Sequence, residues 1–137
     1  MSVAEQASSW TAELVKHATH FDQERGGPEW LRALRQSGRE RLSSSHLPVG
    51  RDEEWAYTSV RPLLGEQFKI GEASLLAQTQ IASSQPLGTA KPPAAITVAG
   101  YPEHAFTAIN QAFSNTGVCI TVDSDEPGLI EIVHRVL

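Results

Sequence analysis

The 137-residue sequence holds one cysteine and one methionine, and no apolar run approaching the roughly 18–20 residues of a membrane-spanning helix. A single Cys119 excludes an intramolecular disulfide and cannot by itself build a thiolate metal site. Positive charge is also scarce. Eleven Lys and Arg against sixteen Asp and Glu give a formal net charge of −5, which argues against a general nucleic-acid binder. The N-terminus carries an early Glu5 and no apolar h-region, so it does not read as a signal peptide. No P-loop and no Gly-rich dinucleotide motif occurs. These absences point to a soluble, cytoplasmic protein of ordinary composition, with no membrane and no nucleic acid among its partners. One domain, or a small domain plus part of a second, fits the length.

Two amphipathic helices open the chain. Over 2–22, Val3, Trp10, Leu14, His17 and Phe21 fall on one helical stripe, and Gly26-Gly27 ends the pattern. Pro28 suits the first turn of a second helix, in which Leu31, Leu34, Gly38 and Leu42 share a face. Arg32, Arg35 and Arg39 form an adjoining stripe, expected either to be solvated or to meet an acidic partner. The Gly-Gly turn makes the pair a helical hairpin.

After a Ser-rich loop comes RDEEWAYTSV (51–60), three acids running into two aromatics. It reads either as a partner patch or as a clasp, with Trp55 and Tyr57 folded back on the hairpin and Arg51, Asp52, Glu53 and Glu54 in water; the clasp is favoured. A third, narrow helix is expected over 71–82, and a Pro-rich linker over 86–94. Beyond it the grammar turns to strands at 95–98, 118–122 and 129–137, with helical spacing in HAFTAINQAF (104–113).

Other residues invite chemistry and carry little. His17 and His20 with Asp22 and Glu24 lack an obvious further metal ligand. Cys119 sits in the apolar run VCITV, where cysteine behaves as a small hydrophobe. A nucleophilic pair of Cys119 with His134 or His104 has no orienting acid at a recognisable spacing. No enzyme activity is expected.

Two motifs in order resemble the N-terminal region of the SufD-type (SufB/SufD) iron–sulfur cluster assembly proteins. The first is WLRALRQSGRERL followed by Pro48 and the run Glu54, Trp55, Tyr57 and Thr58. The second is HAFTAINQAFSNTGVCITV, carried by Phe106, Ala108, Asn110, Ala112, Phe113 and Gly117, with Ile109 where Leu is usual. The resemblance implies an α+β chain: an N-terminal helical domain over 1–85, a linker over 86–94, and over 95–137 the first strands of a truncated parallel β-helix. It implies a non-catalytic N-terminal fragment of the SUF assembly scaffold, with SufB and SufC as partners of the full-length protein. No cofactor is expected on the fragment; the iron–sulfur cluster is handled by the full complex. The alternative is a stand-alone helical interaction module. Under either reading, strands with no later rung to pair are expected to make the chain a homo-oligomer through residues 94–137.

Overall fold

The structure is a computed structural model, and it describes residues 2–48, 55–89 and 104–136. Among these residues, three α-helices and two small antiparallel sheets make it an α+β protein. They fall into two units. One contains the helices and the described residues up to Phe68, with 104–114; the other contains the strands, within 69–89 and 115–136.

In the helical unit, α1 spans Val3–Arg25. Ser2 opens it with a capping box: its hydroxyl accepts from the Glu5 backbone N–H, and its own N–H donates to the Glu5 carboxylate at 2.6 Å. Gly26 (φ 56°) and Gly27 (φ 107°) then supply the positive-φ turn that a residue with a Cβ would resist. The helix α2 follows over Glu29–Ser44. The inward positions of α1 are Ala7, Thr11, Leu14, Ala18 and Phe21, alternating four and three apart. Buried Thr11 is satisfied by donating its hydroxyl proton to the Ala7 carbonyl at 2.9 Å. His17, expected on this stripe, is exposed, one position off the 7–11–14–18–21 line.

The third helix, α3 (Ala105–Ala112), belongs to this unit and packs on α2, although two strands of the other unit precede it in sequence. Small residues allow the approach. Ala105, Ala108 and Ala112 are buried, and a Cβ added to Gly38 of α2 would lie 2.8 Å from the Ala112 Cα. Gln111 joins the two helices by side-chain bonds, accepting from Arg41 Nη1 at 2.7 Å and donating to the Leu34 carbonyl at 3.1 Å. Leu42, Leu47, Val60, Ala105 and Ala108 form the core, and a short 3₁₀ turn over Arg61–Gly65 adds Leu63 and Leu64.

The strand unit departs from expectation at its start. The helix expected over 71–82 is instead strand β1 (Ala73–Thr79) followed by β2 (Ala82–Pro86), so 82–86 is neither helix end nor linker. Leu, Ala and Gln favour helix intrinsically, but pairing with distant strands overrides that weak preference. β3 spans Val118–Val122 and β4 spans Ile130–Val136. β1 pairs with β4, from Ala73 opposite Val136 to Thr79 opposite Ile130; β2 pairs with β3, from Ala82 opposite Val122 to Pro86 opposite Val118. Both pairings are antiparallel, so the described residues contain no parallel rung of the expected β-helix. The strands of 118–136 also find partners within the chain rather than lying unpaired. The strand expected at 95–98, most of the linker and the acidic run 51–54 lie outside the described residues.

Candidate functional site

The helical unit gathers its polar chemistry at one carboxylate. Asp22, in the last turn of α1, is buried, and three arginines of α2 converge on it. Arg35 Nη1 donates to Asp22 Oδ1 at 3.0 Å; Arg32 Nε and Arg39 Nη1 stand 3.5 and 3.7 Å from Oδ2. These are the three residues expected to form a solvated or partner-facing stripe, and the structure corrects that for two of them. Arg35 is 1% exposed and Arg39 has a side chain 16% exposed; only Arg32, at 52%, meets water freely. The reason lies in the spacing. The buried positions of α2 are 31, 35, 38 and 42, so Arg35 occupies the core-facing stripe itself.

Arg35 is well provided for. Its Nε donates to the Ser114 carbonyl at 2.7 Å, and Nη1 also donates to the Gly26 carbonyl at 2.5 Å. Those carbonyls lie at the C-terminal ends of α3 and α1, where a cation is favoured by the helix dipole. Its guanidinium also stands 5.4 Å from the Phe21 ring centre, and Phe21 meets Phe113 at 5.5 Å. One side chain therefore ties three helices together. Arg39 is less settled: its Nη1 is shut off from solvent and has no hydrogen-bond partner.

A second locus lies where the two sequence motifs meet. Trp55 stacks on Phe106 with ring centres 5.4 Å apart, and His104 stands edge-on to both at 5.9 and 6.1 Å. His104 Nδ1 is buried there without a hydrogen-bond partner. The segment expected to fold back as one clasp divides: Trp55 is half-buried on α3, whereas Tyr57, two residues on, is fully exposed. Pro48, Trp55, Tyr57 and Thr58 line one open cavity of about 420 Å³, with Leu47, Val60 and Leu64 among its other walls. Pro48 is buried and Thr58 exposed, its backbone N–H closing a turn onto the Trp55 carbonyl at 3.0 Å. Glu54 lies outside the described residues.

The rest of the motif residues are dispersed. Asn110 is exposed on α3, and Phe113 is used on Phe21. Gly117 belongs to the strand unit, where a Cβ would press on Leu87 at 3.2–3.4 Å while its carbonyl accepts from the Leu87 N–H at 2.9 Å. Register separates the thiol from an imidazole: Cys119 lies opposite Gln85 and His134 opposite Leu75, on different strand pairs. His20 makes an exposed contact with Glu24 at 3.3 Å. Among the described residues no group of three or more His, Cys, Asp and Glu could hold a metal ion, and no helix is long and apolar enough to cross a membrane.

Sequence reasoning assigned Asp22 no structural role. A signal was available: a hairpin with a three-residue turn sets the last turn of α1 beside the first turns of α2, where arginines recur at 32, 35 and 39. No protein-family model, curated protein or solved structure matches the chain.

Proposed function

We propose that the chain is a non-catalytic, protein-interacting component of the SUF iron–sulfur cluster assembly scaffold, related to the N-terminal part of SufD. The observation that carries this reading is the packing of Trp55 on Phe106. These residues belong to the two motifs that resemble the family, lie 51 positions apart in sequence, and meet in the core of one unit. Residues that sit together are constrained together, which gives a physical reason for both motifs to persist in one chain. In this reading Trp55 closes the helical unit, and exposed Tyr57 beside its open cavity is the contact offered to another protein; a rigid amphipathic aromatic at a cavity mouth is a common anchor at interfaces. The antiparallel strands precede the parallel rungs of a β-helix, SufB and SufC are partners of the assembled complex, and the iron–sulfur cluster is held by that complex rather than by these residues.

A second reading is favoured by one feature of the strand unit. Leu129, Ile132 and Val136 are 81%, 54% and 75% exposed, so a self-contained module that dimerises through its C-terminal strands would have apolar surface to use.

Recovery of the endogenous protein through an antibody to α1 and α2 separates the two. Co-purification with SufB- and SufC-type proteins, lost on Tyr57→Ala, supports the scaffold. A chain of 14.9 kDa recovered as a homodimer, without those proteins, overturns it in favour of the module.

A further inference from the structure

The arginine cluster holds more positive charge than its carboxylate can balance. Three guanidinium groups face one Asp22, and no other described carboxylate lies within 4 Å of them, so two positive charges stand uncompensated in a partly desolvated place. The three arginines differ in how firmly they are held. Arg35 is fixed by three hydrogen bonds and takes no further part. Arg39 is held to Asp22 only by charge at 3.7 Å, and a buried guanidinium nitrogen without an acceptor is costly. It can turn to a better acceptor without breaking a hydrogen bond at Nη1. Arg32, about two helical turns earlier and half in water, gives the cluster its opening to solvent.

We propose that Arg32 and Arg39 form a receptor for a phosphate-class dianion, either a free ion or a small phosphate monoester, with Asp22 and Arg35 as the buried base that orients them. Two unspent positive charges match a dianion better than a single carboxylate. Planar guanidinium forks present paired N–H donors at the spacing of phosphate oxygens. The buried Arg35–Asp22 pair limits where the two arginines can go, so little freedom is lost on binding. The acidic character of the whole chain, at −5, weighs against an extended nucleic-acid polyanion, whereas a small anion need meet only the local arginines.

The test is a titration of the isotope-labelled full chain, reading the Nε–H resonances of Arg32 and Arg39. Three probes are used: inorganic phosphate, glycerol phosphate, and sodium chloride at matched ionic strength. Saturable shifts with phosphate and not with chloride are expected. Saturation by inorganic phosphate alone assigns a free ion; equal or tighter saturation by glycerol phosphate assigns a monoester. Arg32→Gln, at an exposed position, should leave helix content unchanged and weaken binding roughly tenfold or more, as loss of a charge-assisted contact to an anion does. Linear shifts that chloride reproduces, or affinity unchanged in Arg32→Gln, would overturn the proposal.

Discussion

The two units solve the problem of burial in opposite ways. The helical unit closes on itself: Leu42, Ala105 and Ala112 have no exposure at all, and a charged side chain, Arg35, is as buried as they are. In the strand unit no described residue reaches that state; its residues are half-buried at best, and Leu76, Val122, Ile132 and Val136 are more than half exposed. Each of its sheets has two strands, and an isolated pair of strands is marginal in water. Backbone pairing without a shared interior defines a shape but contributes little stability.

That contrast can be broken most forcefully at Arg35. Arg35→Met removes the donor that satisfies Asp22 and the carbonyls of Gly26 and Ser114, leaving a buried carboxylate without its hydrogen-bond donor. A loss of about 3–5 kcal/mol in denaturant unfolding of the helical unit is expected. Leu42→Ala comes next, at about 2–5 kcal/mol, because it opens a cavity in the core. The matching change in the strand unit, Leu76→Ser, should cost less than about 0.5 kcal/mol, since Leu76 is 53% exposed. Equal costs for the two leucines would dissolve the distinction between the units. Gly38→Ala, which forces a methyl against the Ala112 backbone, should cost about 1–3 kcal/mol and part α3 from the helical hairpin, seen as loss of the Phe21–Phe113 ring contact in side-chain NMR. Amide hydrogen exchange sharpens the comparison without mutation: β1 to β4 should exchange well before the inner face of α2.

A local effect lies at the start of α1. Bonds from the Ser2 backbone and hydroxyl hold the Glu5 carboxyl below the ordinary carboxylate value of 4.5. A lowered folded value means stabilisation that is present above that ordinary value and fades as pH falls through the lowered one. A small loss of helix signal is therefore expected in circular dichroism as pH is taken below the ordinary value of 4.5, absent in Glu5→Gln. Ser2→Ala should lower stability by about 1 kcal/mol at neutral pH.

Much of the helical unit was legible in advance. The hairpin, its Gly-Gly turn and the helix at 104–113 follow from apolar spacing and from residues that permit positive φ. Strands at 118–122 and 130–136 follow from Val and Ile. What stayed hidden depends on partners remote in sequence. SLLAQT reads as helix until Ile132 and His134 stand across from it. Arg35 reads as solvent-facing until the carbonyls of Gly26 and Ser114 are placed beside it. RDEEWAYTSV could be read as a clasp or as a patch because its two aromatics do different things: Trp55 has rings to stack on, and Tyr57 has none among the described residues.

The return of α3 to the hairpin fixes an order of events on the ribosome. α1 and α2 leave the exit tunnel as neighbours and can pair at once, but the Ser114 carbonyl that Arg35 grips is synthesised 79 residues later. At roughly 5–20 residues per second the nascent hairpin waits several seconds with Gly38 and Leu42 uncovered. During that interval the surface that α3 finally covers is open to whatever chaperone or companion subunit is near.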